Sequence, residues 1–580
     1  MLKNTGSNLM SRMSRAILVE FLIASLIFQY SWAGPSGEQV VQGDVSFDRA
    51  GDLTVINASN GSVINYQQFD VLPNETVQFV QPDALSRVLN RVTGPDPSAI
   101  AGTLIANGIV YIVNPAGVYF ANGALVNVGG IYAAAGTITN ADFLANINHF
   151  TNLSGAVTNL GTINGQSVYL IGANVSNYGT IVSTGGIVTL ASGNDIYLRE
   201  GDGHVLVKIG SAQQQAEPGE PGVKNAGTID ASGGSITLGA GDMYSIAVHN
   251  TGTLKASTIA VDGGTGGVTH LSGTLDASNT APGGLGGSIY VLGDRVALTG
   301  ALLDASGSAG GGSVLIGGEG SATNAIFFGS DSTIKANALD AGDGGRVILW
   351  ANDLAKAFGQ IQARGGLSGG DGGFVETSAH TAIIDMAPDT SAPSGRHGTW
   401  LIDPSNVTIA DAITVEHGLP VPGGAPYDFI ADDDDSYVTD DAIEAALLLG
   451  DVLISTANAG PPGGAQAGNI VQNADAQINL DTAAEVTLTL EAANNITLNG
   501  GIAAGAAGDK LNVVLTANDA AQGGGATGVV DINAAVDTNG GTFSTTGKGF
   551  DNTGGIVTSG VVTISHAGNV TIGAALDSAG

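Results

Sequence analysis

The sequence predicts an all-β solenoid, in which short strands stack coil on coil around a shared core. Three observations favour this fold: a glycine motif that recurs along the chain, short alternating apolar segments between the glycines, and an unusual composition. The 580 residues include 90 glycines and no cysteine, and charged residues make up only 12 %. Average proteins carry about 7 % glycine and about 25 % charged residues, so the chain departs from an ordinary globular protein on both counts.

The recurring motif reads Asn-x-Gly-Thr followed by Ile or Leu, and its last copy has Leu271 in place of the asparagine. Its glycines are Gly161, Gly179, Gly227, Gly252 and Gly273. They are separated by 18, 48, 25 and 21 residues, and a period near 20 with occasional insertions is typical of a solenoid. The segments 235–238, 287–292 and 346–350 alternate in polarity, which predicts strands with one buried face. Units this small must stack to bury that face.

Composition and charge follow from stacked coils and also exclude several functions. Glycine accepts the tight corners that every coil repeats, while like charges at equivalent positions of neighbouring coils would repel each other. The net charge of −34 excludes nucleic-acid binding through a basic patch and leaves cations, neutral glycans or basic proteins as compatible partners. The absence of cysteine excludes disulfides, thiol catalysis and Cys-ligated metal.

Residues 1–33 are predicted to be a signal peptide, cleaved after Ala33. Lys3, Arg12 and Arg15 precede an apolar run over 16–28, and small residues stand at the two positions that a signal peptidase reads. The alternative is a single membrane anchor, which the shortness of the apolar run disfavours, since a span needs about 20 residues. No later stretch is apolar enough to span, so the mature chain is expected to be exported without a membrane span.

The remainder is divided by changes in repetitiveness and charge. Residues 34–150 are less regular, with a proline-containing insert at 83–98, and are expected to form an N-terminal cap, because a solenoid must protect its strand edges. Repeats are predicted over 151–410, an acidic insert with a short helix at 441–449 over 411–460, and further repeats over 461–580. The sequence stops at Gly580 within repeat-like text, so a longer natural chain is expected.

Four N-terminal stretches resemble the haemagglutination-activity domain of filamentous-haemagglutinin-type exoproteins: Ser86–Gly94, Gly102–Gly108, Val110–Phe120 and Leu125–Gly130. Gly372–Ser378 and Thr399–Pro404 are similar to a segment of the high-molecular-weight adhesins of the same family. The resemblance implies a right-handed parallel β-helix. It also implies two-partner secretion, in which a dedicated outer-membrane transporter recognises the N-terminal domain.

The family's hallmark Asn-Pro-Asn-Gly stands here as Asn114-Pro115-Ala116-Gly117. Asn114, Pro115 and Gly117 are therefore the predicted secretion motif, shaping a turn that export requires. The resulting hypothesis is a secreted or cell-surface filamentous adhesin, a monomeric rod outside the cell or held at the outer membrane, with host or neighbour-cell glycans or proteins as candidate ligands. The alternatives are the stalk of a contact-dependent toxin or haemolysin, and a β-helical polysaccharide-active enzyme.

Few residues suggest chemistry, and no catalytic residue, cofactor or metal site is predicted. His249 and His270 lie three residues before repeat glycines, so they are expected to stack on adjacent coils as a side-chain ladder rather than to share a metal. The acidic run Asp432–Asp435 and the glycines around Asp371 lack the ligand spacing of calcium loops and favour solvated charge. A repetitive rod face is expected to offer no pocket with converging polar groups, so the sequence names no receptor.

Overall fold

A computed structural model describes residues 34–201, 204–209, 220–241, 246–318, 320–414, 427–430, 435–456, 466–481, 485–505, 510–519, 527–558 and 560–577. The predicted signal peptide lies outside the described residues, as do residues 432–434 of the acidic run.

The described residues form 54 strands and two helices. The N-terminal strands are β1 (Gln39–Gln42), β2 (Val45–Ala50), β3 (Leu53–Ala58), β4 (Ser62–Tyr66), β5 (Thr76–Val80), β6 (Arg87–Val92), β7 (Ser98–Ile100), β8 (Thr103–Ala106), β9 (Ile109–Val113), β10 (Val118–Phe120), β11 (Leu125–Ala134), β12 (Asn148–Thr151), β13 (Ala156–Asn159), β14 (Thr162–Gly172), β15 (Asn174–Asn177), β16 (Thr180–Val182), β17 (Ile187–Ser192), β18 (Asp195–Gly201) and β19 (His204–Ile209). The middle strands are β20 (Val223–Asn225), β21 (Thr228–Ala240), β22 (Ile246–Asn250), β23 (Thr253–Asp262), β24 (Val268–Leu271), β25 (Thr274–Asp276), β26 (Ser288–Leu292), β27 (Arg295–Leu298), β28 (Leu302–Asp304), β29 (Ser313–Gly317), β30 (Ala325–Phe328), β31 (Thr333–Lys335), β32 (Arg346–Trp350), β33 (Leu354–Ala357), β34 (Gln360–Gln362), β35 (Phe374–Ser378), β36 (Thr381–Ile384), β37 (Gly398–Asp403) and β38 (Val407–Ala410).

The remaining strands are β39 (Tyr437–Thr439), β40 (Gly450–Thr456), β41 (Ile470–Gln472), β42 (Ile478–Leu480), β43 (Glu485–Ala492), β44 (Ile496–Leu498), β45 (Ile502–Ala504), β46 (Lys510–Ala517), β47 (Val529–Ile532), β48 (Val536–Asp537), β49 (Phe543–Gly547), β50 (Gly549–Asn552), β51 (Ile556–Val557), β52 (Val562–His566), β53 (Val570–Ile572) and β54 (Leu576–Asp577). The helices are α1 (Asn140–Leu144) and α2 (Asp440–Leu447).

The strands build a parallel β-helix with three faces, which confirms the predicted fold class. Face 1 is a ladder of 18 strands that runs from β7 through β10, β13 and β15 to β53. Face 2 carries strands such as β8, β16, β25 and β34, and face 3 carries strands such as β9, β17, β26 and β52. Long strands such as β14 contribute to faces 2 and 3 in turn, because they pair with β16 and then with β17. The right-handed sense of the coil stays a prediction.

Inward side chains of all three faces meet in one continuous apolar core, from Ile56 in the first coils to Ile556 in the last. Alternate residues of each strand enter this core, as in β43, where Val486, Leu488 and Leu490 are almost completely buried. The largest side chain inside is Trp400, which is 1 % exposed and whose indole Nε1 donates to Thr377 Oγ1 at 3.3 Å. A shared core of this kind makes each coil depend on its two neighbours.

The repeat asparagines form a fully buried ladder at the corner between faces 1 and 2. Asn159 donates to Asn177, Asn177 to Asn225, and Asn225 to Asn250, each through Nδ2 to Oδ1 at 2.8 Å. At the top of the ladder, Asn159 Oδ1 accepts from the backbone N–H of Gly161 at 3.0 Å. The motif Asn-x-Gly-Thr therefore encodes a corner whose polar side chains satisfy one another from coil to coil.

The N-terminal end is closed by antiparallel strands. β1 pairs antiparallel with β4, and β2 pairs antiparallel with β3, whereas β3–β5 and β4–β6 are already parallel. The stretch 83–98 is only partly an insert, contrary to the sequence-based expectation, because it contains β6, which stacks between β4 and β9. The consecutive residues Val88, Leu89 and Asn90 of β6 are all buried, so the strand lacks the alternating pattern that predicts a repeat strand.

A small module covers the outside of face 3 near the N-terminal end. It consists of α1 and the antiparallel sheet β12–β18–β19, and it was not predicted from the sequence. The core beneath it is separate from that of the rod and includes Tyr111, Tyr132, Phe143, Phe150 and Tyr169. We call these elements the side module.

Helix α2 occupies the place of a face 2 strand and overlaps the predicted helical stretch 441–449, beginning one residue earlier and ending two residues earlier. Thr439 caps its N-terminus, since its Oγ1 accepts from Ala442 N at 3.3 Å. Asp440 Oδ2 accepts from Gln477 N at 2.6 Å, and Glu444 Oε1 accepts from Asn479 N at 2.5 Å. The two carboxylates thus accept hydrogen bonds from backbone amides at the edge strand β42. This strand is the first of a five-stranded sheet that continues face 2. Burial raises the pKa of both carboxyl groups.

Residues 427–430 lie across the outer surface of face 1. The ring centroids of Tyr427 and His270 are 5.0 Å apart. Phe429 packs on an apolar cluster that includes Leu354 and Ile383. Between them, Asp428 Oδ2 accepts from the ammonium group of Lys356 at 2.7 Å, and Lys356 has no exposed surface. A charged residue of face 1 is therefore neutralised by a segment about 70 residues further along the chain.

Candidate functional site

The predicted secretion motif forms the corner between β9 and β10. Asn114 is completely buried, and its Nδ2 donates to Asp96 O at 3.0 Å and to Ser98 Oγ at 3.1 Å. Its Oδ1 accepts from Ala116 N at 3.0 Å, so the side chain also closes an Asx turn. A single amide thereby ties this corner to the corner of the preceding coil.

Pro115 and Gly117 complete the turn. Gly117 N donates to Asn114 O at 3.0 Å, which makes residues 114–117 a β-turn with proline at its second position, where a fixed φ is favourable. Gly117 has φ +126°, and a Cβ there would lie 2.9 Å from Ala156 O. Ala116, which replaces the family's asparagine, contributes only its backbone N–H to the corner. The three predicted residues thus form one turn, and the side chain of Ala116 is partly exposed.

The stretch Ser86–Gly94 has a role that the sequence did not predict: it holds the side module. Arg87 Nη1 donates to Phe143 O at 2.8 Å and to Asn146 Oδ1 at 2.7 Å. Arg91 Nη2 donates to Ile138 O at 2.9 Å and to Asn140 Oδ1 at 2.7 Å. Because Arg87 and Arg91 are four residues apart on β6, both guanidinium groups leave the same face of the strand and clamp both ends of α1.

Replacing Arg91 by alanine is expected to loosen the side module while the rod stays folded. Hydrogen bonds from a charged donor contribute about 1.5–3 kcal/mol each, so amide exchange over 138–146 should accelerate at least about tenfold. Hydrogen–deuterium exchange read by mass spectrometry measures this. Arg364→Ala, which removes an exposed arginine paired only with Asp389 at 3.5 Å, is the control. Unchanged exchange in Arg91→Ala would show that the arginine does not hold α1.

Stacked tyrosines form the floor under the side module. Tyr111, Tyr132 and Tyr169 lie on successive coils, with ring centroids 4.2 Å apart at both steps. Tyr111 OH donates to Asn148 Oδ1 at 2.9 Å, and Asn148 Nδ2 donates to Tyr132 OH at 3.1 Å, which links the stack to β12. A signal for this stack exists in the sequence, because each tyrosine follows a β-branched residue at the same offset within its coil.

His249 and His270 form the predicted side-chain ladder. They are paired residues of β22 and β24, and their rings stack with centroids 4.8 Å apart at an angle of 5°. His270 Nε2 is hydrogen-bonded to Thr299 Oγ1 at 2.7 Å. Burial, followed by the neighbouring His249, lowers the pKa of His270 to about 4, and burial also lowers the pKa of His249. Both imidazoles are therefore neutral at pH 7, as stacking requires.

The stability of the coils around His270 is expected to fall as the pH drops from about 6.5 to about 4. The folded-state pKa lies below the unfolded one, so the unfolded chain binds more protons in this window, and acid favours unfolding. A histidine-selective NMR titration should show His270 titrating near pH 4. His270→Gln should reduce the loss of stability over the same window. A His270 resonance that titrates near its ordinary pKa would contradict the burial of this imidazole.

Among the acidic residues considered as calcium ligands, Asp371 is hydrogen-bonded by another residue of the chain. Arg396 holds Asp371 through Nη2 at 2.9 Å and Nε at 3.2 Å, and Arg396 N also donates to Asp371 Oδ1 at 2.9 Å. These bonds lower the pKa of the Asp371 carboxyl group. Within the described residues, no group of three or more His, Cys, Asp or Glu side chains is placed to hold a metal ion.

The structure is that of a capped parallel β-helix protein with a side module on its N-terminal coils. Residues 33–271 match the family described as the TPS secretion domain. The solved HMW1 secretion domain of Haemophilus influenzae is 30 % identical, with a TM-score of 0.54, and the match covers 64 % of this chain and all of that structure.

Two curated relatives are heme/hemopexin-binding proteins of Haemophilus influenzae. One is 34 % identical over 188 residues, which is 30 % of this chain and 21 % of the relative, and the other is 36 % identical over 96 residues, which is 16 % and 10 %. The matches thus span about a fifth or less of the relatives' own length. The chain belongs to the family of two-partner secretion exoproteins, which are exported through the outer membrane.

Membership in this family implies an outer-membrane transporter as a partner. No helix in the described part of the chain is long and apolar enough to cross a membrane.

Proposed function

We propose that the N-terminal domain is recognised by its outer-membrane transporter and that the exported coils act outside the cell as a filamentous adhesin. The observation that carries this proposal is the Asn114 corner: a completely buried amide joins two successive coils within the matched secretion domain, at the position of the family's hallmark turn. The match to a solved secretion domain, which covers the whole length of that structure, supports the secretion part of the proposal.

The architecture supports export driven by folding. Each coil that forms outside the membrane buries apolar surface, which contributes roughly 25 cal/mol per Å² and opposes backsliding of the chain. The closed N-terminal end gives the first coils a template, because β3 and β4 already carry parallel partners. No disulfide has to form or open during passage, since the chain contains no cysteine.

We further propose that the protein works by binding and not by catalysis. Glu376 and Asp403 lie near each other on face 3, where burial and the charge of Glu376 raise the pKa of Asp403 to about 6. Ser378 Oγ donates to Glu376 Oε1 at 3.0 Å, and Arg346 approaches the same carboxylate at 3.8 Å. These contacts occupy the Glu376 carboxylate with protein partners, which favours a structural role.

Deleting residues 34–150 tests the proposal. In a strain that produces the transporter, the deleted chain should disappear from the medium and the cell surface and accumulate before the outer membrane. The full chain in a strain without the transporter should behave in the same way. Export of the deleted chain at the level of the full chain would refute recognition through this domain, and a surface-exposed full chain that mediates no attachment would refute the adhesive role.

A further inference from the structure

An open groove of about 820 Å³ runs along the rod where the corner glycines meet face 3, although the sequence led us to expect no such pocket. Its volume falls within the roughly 300–1,000 Å³ typical of ligand sites. One column of outward side chains, one per coil, lines one side. These residues are Ser288, Ser313, Arg346, Phe374, Thr399 and Asp451.

The floor of the groove is glycine, for a reason internal to the fold. A Cβ on Gly312, Gly345 or Gly373 would collide with the carbonyl oxygen of the corner glycine one coil earlier. The backbone N–H groups of these glycines are already bonded within the rod, for example Gly312 N to Ala305 O at 2.8 Å. The glycines are therefore explained by stacking, and the evidence for a ligand has to come from the side chains around them.

Those side chains combine hydrogen-bonding and ring-stacking groups. At the groove, Arg396 donates through Nε and Nη2 to one oxygen of Asp371, Oδ2, and the Arg396 side chain is 89 % exposed, so its remaining donors face solvent. Arg346 lies over the Phe374 ring at 5.4 Å. His397 also lines the groove, and its Nδ1 atom is buried without a hydrogen-bond partner among the described residues. The groove therefore presents hydrogen-bonding side chains beside an aromatic ring.

The loops that lead into the floor glycines also carry two exposed leucines, which do not line the groove itself. Leu285, directly before Gly286, and Leu367, in the loop before Gly372, are each 65 % exposed. Coils follow one another at about 4.8 Å, so the groove offers a new set of polar groups at a spacing close to that of the units of an extended sugar chain. The hydrogen-bonding side chains and the Phe374 ring of the lining together suit the polar edges and apolar faces of pyranose rings.

We propose that this groove binds a linear neutral polysaccharide laid parallel to the rod axis. Neutral chains are favoured over acidic ones because both arginines already face carboxylates, Arg396 with Asp371 and Arg346 with Glu376 at 3.8 Å. Asp451 adds a further carboxylate to the lining, and the whole chain carries a net charge of −34. The assignment deepens the adhesive part of the proposed function, on which it rests, by naming the ligand class and its site.

The test uses the full exported chain and linear neutral oligosaccharides of increasing length, measured by isothermal titration calorimetry. Affinity should rise with length until the sugar spans the lined coils and then level off. A double substitution of Asp371→Asn and Arg396→Ala should weaken binding at least about tenfold, since it removes charge-assisted hydrogen bonds. Ser313→Phe should block the groove. The same column accommodates Phe374 two coils further on, so this variant is expected to fold.

Lys255→Ala is the matched control, because it removes an exposed cation paired with an aspartate, Asp276 at 3.9 Å, on face 2. It should bind as the unaltered chain does. Circular dichroism and urea unfolding verify that every variant is folded. No binding of neutral oligosaccharides, equal binding by the groove variants, or binding confined to acidic oligosaccharides or peptides would overturn the inference.

Secretion is measured on the same variants to separate the two proposals. The groove variants should reach the medium like the unaltered chain. A chain that is exported and adhesive but binds no neutral sugar overturns the groove assignment alone. A chain that binds the sugar in its groove but is not exported by the transporter overturns the secretion proposal and leaves the groove in place.

Discussion

Asn114→Ala is expected to reduce the amount of exported protein at least about tenfold. The substitution removes two donated bonds and one accepted bond of a completely buried amide, and it orphans Ala116 N inside the corner. Each unsatisfied buried group costs about 1–3 kcal/mol, and about 1.4 kcal/mol is a tenfold change in an equilibrium. The first coils would therefore be a poorer template for the folding of the coils that follow them. Immunoblotting of medium and periplasm, in a strain with the transporter, measures the ratio of exported to retained protein.

Asn494→Ala controls for a general loss of stability. Asn494 is 9 % exposed, donates to Asn469 Oδ1 at 3.0 Å and accepts from Thr527 N at 3.2 Å, but it lies outside the matched secretion domain. It should be exported nearly normally. Ala116→Asn, which restores the family's motif, should also leave export unchanged, because residue 116 serves the corner through its backbone. Equal export of Asn114→Ala and Asn494→Ala would contradict a special role for the corner.

Gly252→Ala is expected to destabilise the coils on either side of it by about 3 kcal/mol. A Cβ at this position would fall on the carbonyl oxygen of Gly227 and 2.9 Å from Nδ2 of Asn225, which belongs to the asparagine ladder. The coil cannot move away, because Asn225 and Asn250 are bonded at 2.8 Å and fix the spacing. Overpacking of this kind costs about 1–3 kcal/mol, and damage to a buried hydrogen bond adds to it.

Gly505→Ala is the matched control, because a Cβ there meets no atom of the described residues within 4 Å and the residue does not have positive φ. Its expected effect on unfolding is below about 0.5 kcal/mol. Urea unfolding followed by limited proteolysis compares the two variants and locates the opened coils. If Gly252→Ala resisted urea as well as Gly505→Ala does, the coil-to-coil contact at the repeat glycine would not limit stability.

Asn114→Ala and Gly252→Ala test different consequences of the stacking of coils. In a stacked coil, a corner side chain contacts its equivalents in neighbouring coils, so a local defect is transmitted along the rod axis. At Gly252 the contact is purely steric, whereas at Asn114 it is a hydrogen-bonded link between unlike corners. We expect the first to appear mainly in stability and the second mainly in export.

Several features could be predicted because they depend on residues at a fixed offset in each coil. The motif glycines, the buried asparagines and the stacked pair His249 and His270 all follow from a period near 20 and from strands about 4.8 Å apart. Helix α2 was predictable for a local reason: acidic residues at its start and Gly450 after its end. The resemblance of four stretches then located the corner at Asn114.

The remaining features depend on which distant segments meet. The residues near Arg87 and Arg91 do not indicate that the partners of these arginines are Phe143 and Asn140, more than 45 residues away. The same holds for Lys356, whose partner Asp428 belongs to a segment outside the repeat. The groove arises from alignment, since Arg346, Phe374 and Thr399 form one column only when the coils stack in this register.

The sequence by itself determined the coil, because a repeat needs only local corners and a period for its strands to stack. The tertiary structure alone decided what covers each face: the side module on face 3, residues 427–430 on face 1, and the open groove. Insertions between repeats carry no periodic constraint, so their docking is set by apolar contacts and hydrogen bonds with distant coils. Those same insertions and alignments supply the surfaces on which recognition and binding are proposed.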